Sequence, residues 1–471
     1  MVGSRIPRDR RRTPPALRQR PASHAAKRSA ITGAAICMYK FGIDLAKQKC
    51  YHTNKFQAPC KNVSMYNSKI SRKWFADWLA SWLDKDVIKV VTGIRRCGKT
   101  TLFELFREQL VESGLAADRI IAINFEDPDC ASFASWREAW EFIKPNIKPD
   151  GRTYVFLDEV QNVPEFEKLV DGLYSRKNLD VYITGSNAKF LSGELATFLT
   201  GRYVEIRLQP LHFTEYRTLF PDKDAYSVFN DFLRFGGFPF AAQLTNGSRT
   251  QLDYLSGILD TILYKDVMAR NGYRDAATLK RIVRFLFDNI GNMLSVNKIV
   301  GMFKSEGFSV PHATLDTYID ALCQTFLLAR VDRYDIKGRQ YLKTTAKYYV
   351  ADTGLRRTLL GTKGEDFGHL LENVVYLELH RRFREIYVGV LNNGEIDFVT
   401  FESGRPCYFQ VAYTVRDEAT LARELAPLKS IRDNHPKFLL TLDNDPPLDH
   451  DGIHRMNIVD FLLAPHSLET L

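Results

Sequence analysis

From Ser71 onward the chain alternates short apolar runs with amphipathic stretches, and the period of each run predicts an element. SRKWFADWLASWLDK spaces Trp74, Trp78, Leu79 and Trp82 at intervals of three and four, the pattern of a helix with one apolar face. VIKVVTG is a compact β-branched run and reads as a buried strand. TLFELFREQLVESG returns to helical periodicity and meets a glycine stop at Gly114. RIIAINFED then reads as a strand, SWREAWEFI as a helix, TYVFLDE as a strand ending in acids, and EFEKLVDGLYSR as a helix. DVYITGS and YVEIRL complete a set of five strands. Such alternation implies an α/β fold with a parallel sheet covered on both faces, and ligands of such sheets bind beyond the carboxyl ends of the strands.

Past about residue 215 the alternation stops. Residues 226–345 have mainly helical periodicity and close with LLARVDRYD and YLKTTAKYYVAD, which predict a two-stranded wing. From about 346 to the end the pattern is mixed α and β, and no internal repeat is present. The expected organisation is therefore a segment 1–64, a core at 65–215, a helical region at 216–345 and a C-terminal domain at 346–471.

Composition narrows the class. Hydrophobic residues make up 45% and charged residues 26%, as in ordinary globular proteins. No run reaches the roughly 18 apolar residues of a membrane span, and the stretch Ile31–Cys37 is too short and interrupted for a signal core. The seven cysteines, at 37, 50, 60, 97, 130, 323 and 407, form neither a C-x-x-C pair nor a zinc-like set, so a reducing cytoplasm is the expected location. The net charge of +9 suggests nucleic acid until its distribution is read. Residues 1–64 hold 14 Lys/Arg and two Asp/Glu, a balance of +12, so the rest of the chain sums to −3. The excess lies in PRDRRRTPPALRQRPAS, a composition that does not build a core. A basic arm for nucleic acid, a solvated tail, and upstream sequence before a start at Met65 all fit it.

The chemistry-bearing residues cluster at the expected strand ends. G-I-R-R-C-G-K-T, Gly93 to Thr100, matches the phosphate-loop pattern G-x-x-x-x-G-K-[ST] at each fixed position, after a strand and before a helix. The glycines let the backbone wrap phosphate oxygens, and the helix N-terminus adds positive potential. The residues expected to hold the nucleotide are Gly93, Ile94, Arg95, Arg96, Cys97, Gly98, Lys99, Thr100 and Thr101. Lys99 is expected on the β- and γ-phosphates and Thr100 on Mg²⁺. Asp158 and Glu159 follow a hydrophobic strand, 59 residues after Lys99. Asp158 is the expected Mg²⁺ carboxylate and Glu159 the group that polarises the attacking water, a helix cap being the plainer alternative. T-G-S-N, Thr184 to Asn187, ends the next strand, and Asn187 or Ser186 is the candidate contact to phosphate or water. Arg202, before the last strand, is a candidate for stabilising transition-state charge in cis or from a neighbouring subunit, or simply an ion-pair anchor.

These motifs, GIRRCGKT, YVFLDEVQNV, TGSN, LTGRYVEIRLQPLHFTEY and GGFP in that order, resemble a family of prokaryotic AAA-like ATPases with a C-terminal domain of unknown function. The resemblance covers roughly residues 70–415. It implies an AAA/ASCE-like P-loop core, a winged-helix module and an α+β domain related to the restriction-endonuclease-like fold, with ATP and Mg²⁺ as cofactors. LSVNKIVGMFKSEGFSVPHATLDTYIDALCQTFLLARVDRY has the spacing of a helix–turn–helix and wing. Its recognition helix, from Pro311–Thr314, carries His312, Asp316 and Asp320 but no Lys or Arg, a poor endowment for phosphate contact. The wing, with Lys337, Arg339, Lys343 and Lys347, is more basic. A lid or partner-docking role is expected ahead of DNA contact.

YYVADTGL, GHLLENVVYLELHRRF, GEIDFVTF and PCYFQVAYTV resemble the family's C-terminal domain. In an active nuclease of that fold, a helix Glu, a strand Asp and a Glu-x-Lys pair gather Mg²⁺. Glu372, Glu395 and Asp397 supply the acids here, while Gln410 and Ala412 occupy the paired positions, so the lysine is missing from that strand. A domain that binds a protein partner or DNA is expected rather than a nuclease. The leading expectation is an ATPase, possible as a homo-oligomer and without a membrane span. A slow nucleotide switch and an ATP-dependent nuclease or DNA-remodelling factor are the rivals.

Overall fold

The computed structural model describes residues 69–128, 133–188, 201–244, 248–361, 366–392 and 394–465; the basic segment 1–64 lies outside them. Helix α1 (Lys73–Ser81) precedes strand β1 (Ile88–Thr92), followed by α2 (Lys99–Glu112), β2 (Ile120–Asn124), α3 (Trp136–Ile143), β3 (Thr153–Asp158), α4 (Phe166–Tyr174), β4 (Leu179–Gly185) and β5 (Tyr203–Arg207). The five strands form one parallel sheet in the order β2-β3-β4-β1-β5. β1 is where the strand order reverses, so the crevice beyond its carboxyl end is the place for a ligand.

The strand and helix expectations for this core hold, with one correction in α1. Phe75 and Leu79 face the core, while Trp74 and Trp78 are only half buried. Phe75 wins the inner position because it stacks on His212 at 5.6 Å and lies under the Arg72 guanidinium at 4.8 Å. In α2, Leu102, Phe103, Phe106 and Leu110 pack onto Phe156 and Tyr182 of the sheet. Gly114 stops the helix with φ +102, where the Leu115 amide closes back on Leu110 at 3.1 Å. Lys89, inside β1, is fully buried and paired with Asp180 of β4, which also accepts the Tyr182 hydroxyl at 2.9 Å.

The helical middle comprises α5 (Phe213–Arg217), α6 (Ala225–Phe235), α7 (Pro239–Gln243), α8 (Ser248–Thr261), α9 (Ala276–Asp288), α10 (Val296–Ser305) and α11 (His312–Gln324). Asp224, Asp275 and Ser295 cap α6, α9 and α10 by accepting amides of the first turn. After α8 the helix widens into a π-helical segment, Ile262–Ala269. This region shares one hydrophobic core with the sheet, in which Leu255, Ile258 and Ile262 join Ile94, Cys97 and Leu208.

The two strands expected as a wing, β6 (Leu328–Asp335) and β7 (Gln340–Val350), do form an antiparallel hairpin. Ala346 of β7 also exchanges two 2.9 Å hydrogen bonds with Leu294, just before α10. The hairpin is not a free wing, however. Residues Arg333–Asp335 pair in parallel with Val388–Val390 of β8 (Glu385–Leu391), so β6 and β7 form the edge of a second sheet. The boundary expected at 345/346 therefore falls inside a strand.

That second sheet has eight strands in the order β12-β13-β11-β10-β9-β8-β6-β7. Its remaining members are β9 (Gly394–Glu402), β10 (Arg405–Val411), β11 (Lys437–Thr441), β12 (Leu448–Asp449) and β13 (Ile453–Asn457). Around it lie α12 (Thr353–Leu360), α13 (Phe367–Arg382), α14 (Glu418–Ser430) and α15 (Ile458–Leu463). Strand alternation divides its core: Phe398, Phe409 and Leu440 pack with α13 and α15, whereas Val399, Tyr408 and Leu439 pack with α14. Among the described residues no helix is long and apolar enough to cross a membrane.

Candidate nucleotide-binding site

The turn between β1 and α2 is bent where the sequence permits it. Gly93 has φ +155, and a Cβ there would lie 2.1 Å from the Leu208 carbonyl oxygen. Gly98 caps α2 at φ +104, a left-handed position that suits glycine. Ile94 and Cys97 turn their side chains into the core, which leaves their main chain as the part of the loop available to a ligand. Arg72, just before α1, braces the loop from outside by donating to the Cys97 carbonyl at 3.1 Å and the Gln209 carbonyl at 2.9 Å. Its Nε donates to Glu215 at 2.8 Å. Burial alone would raise the Glu215 carboxyl, but Arg72 and His212 outweigh it and hold it at about 2.

Lys99 lies buried along the loop, donating to the Gly93 carbonyl at 3.0 Å and pairing with Glu159 Oε1 at 3.0 Å. Burial pushes the Lys99 ammonium down and the Glu159 carboxyl up, yet their attraction prevails and shifts each the other way. The Thr100 hydroxyl donates to Asp158 Oδ2 at 2.5 Å, and Thr184 of β4 donates to the other oxygen of the same carboxylate. Burial raises Asp158 above the usual carboxylate range despite these two donors. Thr184 also accepts the Glu159 amide at 2.8 Å, which fixes Glu159 in a left-handed conformation at φ +51. The Gln161 amide holds Glu159 Oε2 and reaches Ser186 Oγ at 3.4 Å.

The loop opens on a cavity of about 560 Å³ whose walls include Lys69, Arg95, Arg96, Lys99, Thr100, Thr101 and Glu159. Ile70, Leu211, Pro239, Phe240 and Tyr254 add apolar surface, with the Phe240 and Tyr254 rings 4.8 Å apart. Thr100 lines this wall and Asp158 lies buried behind it, and their bonded oxygens are a set suited to a hard divalent cation completed by phosphate and water. Asn187 lies buried two residues beyond the end of β4.

Arg202 does not join the site. It precedes β5, whose Tyr203 is in register with Ile88 at the start of β1, so it stands at the amino end of the sheet. A five-residue strand separates the two ends by about 16 Å. There Arg202 pairs with Asp171 at 2.9 Å, away from the phosphate loop. Arg72, Thr184 and Gln161 are the contributors that sequence reasoning missed. Thr184 and Gln161 stood inside the quoted motifs TGSN and DEVQN, but nothing marked Arg72.

A second polar cavity, of about 740 Å³, lies in the C-terminal part. Glu395 and Asp397 share a face of β9, where both meet Lys347 of β7. Lys347, which the sequence placed with the exposed wing, is buried and within 2.9, 3.0 and 3.1 Å of Glu372, Glu395 and Asp397. Alternation along β7 explains it, because Lys347 and Tyr349 share the face that meets Glu372. Among the described residues no group of three or more His, Cys, Asp or Glu side chains is arranged to hold a metal ion.

A parallel sheet ordered β2-β3-β4-β1-β5, with a glycine-bent loop leaving β1 between β4 and β5 and a Thr–Asp pair beside it, defines an AAA-type P-loop nucleotide-binding fold. Residues 85–217 match the family model described as an AAA domain, and residues 227–366 match one described as a domain of unknown function, DUF8612. An uncharacterized protein of Haemophilus influenzae is 36% identical over 405 residues, spanning 85% of this chain and 100% of that one. An uncharacterized protein of Methanocaldococcus jannaschii is 31% identical over 374 residues, spanning 76% of this chain and 80% of its own length. The chain belongs to this family of AAA-domain proteins. Among solved structures, it is similar to the Walker-type ATPase of Pyrococcus abyssi, with a TM-score of 0.45 and 16% identity over 62% of this chain and 95% of that one. The Aeropyrum pernix Orc1 protein in complex with DNA gives a TM-score of 0.32 and 13% identity over 61% of this chain and 91% of that one.

Proposed function

We propose that the chain binds Mg·ATP at residues 93–101 and hydrolyses it. The observation that carries this reading is that Lys99, Thr100 and Glu159 line one cavity, with Lys99 paired to Glu159 at 3.0 Å and Thr100 bonded to the buried Asp158 at 2.5 Å. Mg²⁺, held by Thr100 and supported by Asp158, neutralises phosphate charge when bound. Lys99 moves from the Gly93 and Ile94 carbonyls and Glu159 onto the β- and γ-phosphates, and its departure frees Glu159 to orient the attacking water. Gln161 keeps hold of the second Glu159 oxygen and so sets the carboxylate's direction, while Ser186 and Asn187 stand at the neighbouring strand end. The apolar wall of Ile70, Leu211, Pro239 and Phe240 suits a base. The test is phosphate release from Mg·ATP by the parent and by Glu159→Gln. Turnover lost with binding retained supports the reading, and parental turnover in the variant removes it.

One observation favours slow turnover, the behaviour of a nucleotide switch. Glu159 is tied to Lys99 at 3.0 Å in the free protein, and that buried ion pair must open before the carboxylate can serve the attacking water. A rate that stays low in the presence of DNA and of candidate partners would mark the switch. The helices α9–α11, the bridge at Leu294 and the β6–β7 hairpin follow the order of a winged helix, and we assign them a lid or partner-docking role. Continuity of the hairpin with the second sheet gives the nucleotide state a direct route to the C-terminal domain, where a protein partner or DNA would bind.

A further inference from the structure

Arg95 and Arg96 are neighbours in the loop but behave differently. Arg96 is exposed, with φ +67. Arg95 is buried at the cavity wall and gripped from two elements that are distant in sequence. Its Nε and Nη2 donate to the two oxygens of Asp266 at 2.8 and 3.3 Å, and its Nη1 donates to Glu126 Oε1 at 2.7 Å. Glu126 follows β2. Asp266 has a side chain only 2% exposed and lies in the π-helical segment Ile262–Ala269. Arg270 and Lys265 add a second cation near each carboxylate, at 3.7 and 3.6 Å.

A two-pronged guanidinium–carboxylate bond fixes direction as well as distance, and it strengthens away from water. A π-helical turn is seldom kept without a demand from its surroundings, and such turns recur at functional sites. Here the widened helix buries Asp266, Val267 and Met268 on the side of the loop while Tyr264 and Lys265 stay exposed. The loop and this helix also share apolar packing through Ile94 and Ile262. The loop cannot change its path at residue 95 without pulling on Asp266, and the helix cannot shift without pulling on the loop.

We propose that Arg95 is a positioning residue, tied to Asp266 so that the segment 262–269 both sets the phosphate-receiving shape of the loop and senses its occupancy. This rests on the reading of the cavity as a Mg·ATP site. Coupling of that kind is reciprocal: what orders the loop orders the helix, and what moves the helix changes nucleotide affinity.

The experiment combines hydrogen–deuterium exchange on the full chain, with and without Mg·ATP, and calorimetry on the parent, Asp266→Asn and Arg95→Lys. Saturating Mg·ATP is expected to slow exchange of the amides at 262–269 in the parent. Asp266→Asn is expected to weaken Mg·ATP binding by about 3- to 30-fold and to lose that protection. Arg95→Lys keeps the charge without the fork and is expected to fall between them. If the parent binds Mg·ATP but exchange at 262–269 is unchanged, or if folded Asp266→Asn binds with parental affinity, the latch is overturned and the nucleotide site stands. A parent that takes up neither Mg·ATP nor inorganic tripolyphosphate overturns both. Should Asp266→Asn fail to fold, the parent's exchange and Arg95→Lys decide the matter.

Discussion

Replacing Glu159 by glutamine should make the free protein weaker and its nucleotide complex tighter. Lys99 and Glu159 sit 3.0 Å apart, both nearly excluded from solvent. At that separation the gross attraction is about 5.5 kcal/mol for an effective dielectric of 20. Desolvation consumes much of it, and leaving one partner of a buried pair alone typically costs about 3–5 kcal/mol. Two carbonyls, from Gly93 and Ile94, still serve Lys99 in the variant, so the lower end of that range applies. Phosphate then replaces Glu159 as the counter-charge, with no carboxylate competing for Lys99 or repelling the triphosphate. If half of the apo penalty is recovered on binding, affinity rises by at least about tenfold, or 1.4 kcal/mol. The assay is thermal unfolding with and without Mg·ATP, paired with calorimetry. The variant should melt below the parent when free and gain a larger upward shift from Mg·ATP. A shift no larger than the parent's refutes the idea that Glu159 guards Lys99.

Three further outcomes follow from the same geometry. Phe240→Ala should cost ATP affinity about 1–3 kcal/mol, the usual worth of one base–aromatic stack, and leave inorganic tripolyphosphate binding unchanged in calorimetry; loss of both ligands alike would show that Phe240 is not a base contact. Lys347→Met strands Glu372 and Asp397 without their cation and should lower unfolding free energy by about 3–5 kcal/mol in urea, whereas a change under 1 kcal/mol would contradict a buried charge cluster there. Asp352 caps α12 and accepts the Gly237 amide at 2.6 Å, and burial pushes its carboxyl up to about 7. The native state therefore keeps a proton that the unfolded chain has released above about pH 4, so this contribution is full below that pH and is lost as pH rises through 7. Asp352→Asn should flatten the parent's decline in urea midpoint between those limits, and an unchanged slope would exclude Asp352 as its source.

Much of the nucleotide core was readable because its chemistry is written in consecutive residues. A phosphate loop needs its glycines, lysine and threonine within eight positions, and five strands with two periods around it leave few arrangements. What escaped the sequence depends on register and distance. The tryptophans of α1 carry the right spacing, yet His212 and Arg72 create the better slot for Phe75, and both come from outside that helix. Arg202 adjoins the last strand in sequence, but only the pairing of β5 with β1 shows that it enters at the wrong end. Lys347 read as an exposed wing cation because the hairpin was taken to stand alone. Once β6 pairs with β8, the inward face of β7 points at β9 and α13, and Lys347 is buried against their acids. Arg95 matched the loop pattern only as a variable position, and its partners lie 31 and 171 residues away.

The most direct test is isothermal calorimetry of Mg·ATP on the folded full chain, run beside Lys99→Ala. The account predicts saturable uptake by the parent near one nucleotide per chain, and none by the variant. Absence of uptake by the parent, or equal affinity in Lys99→Ala, would contradict it.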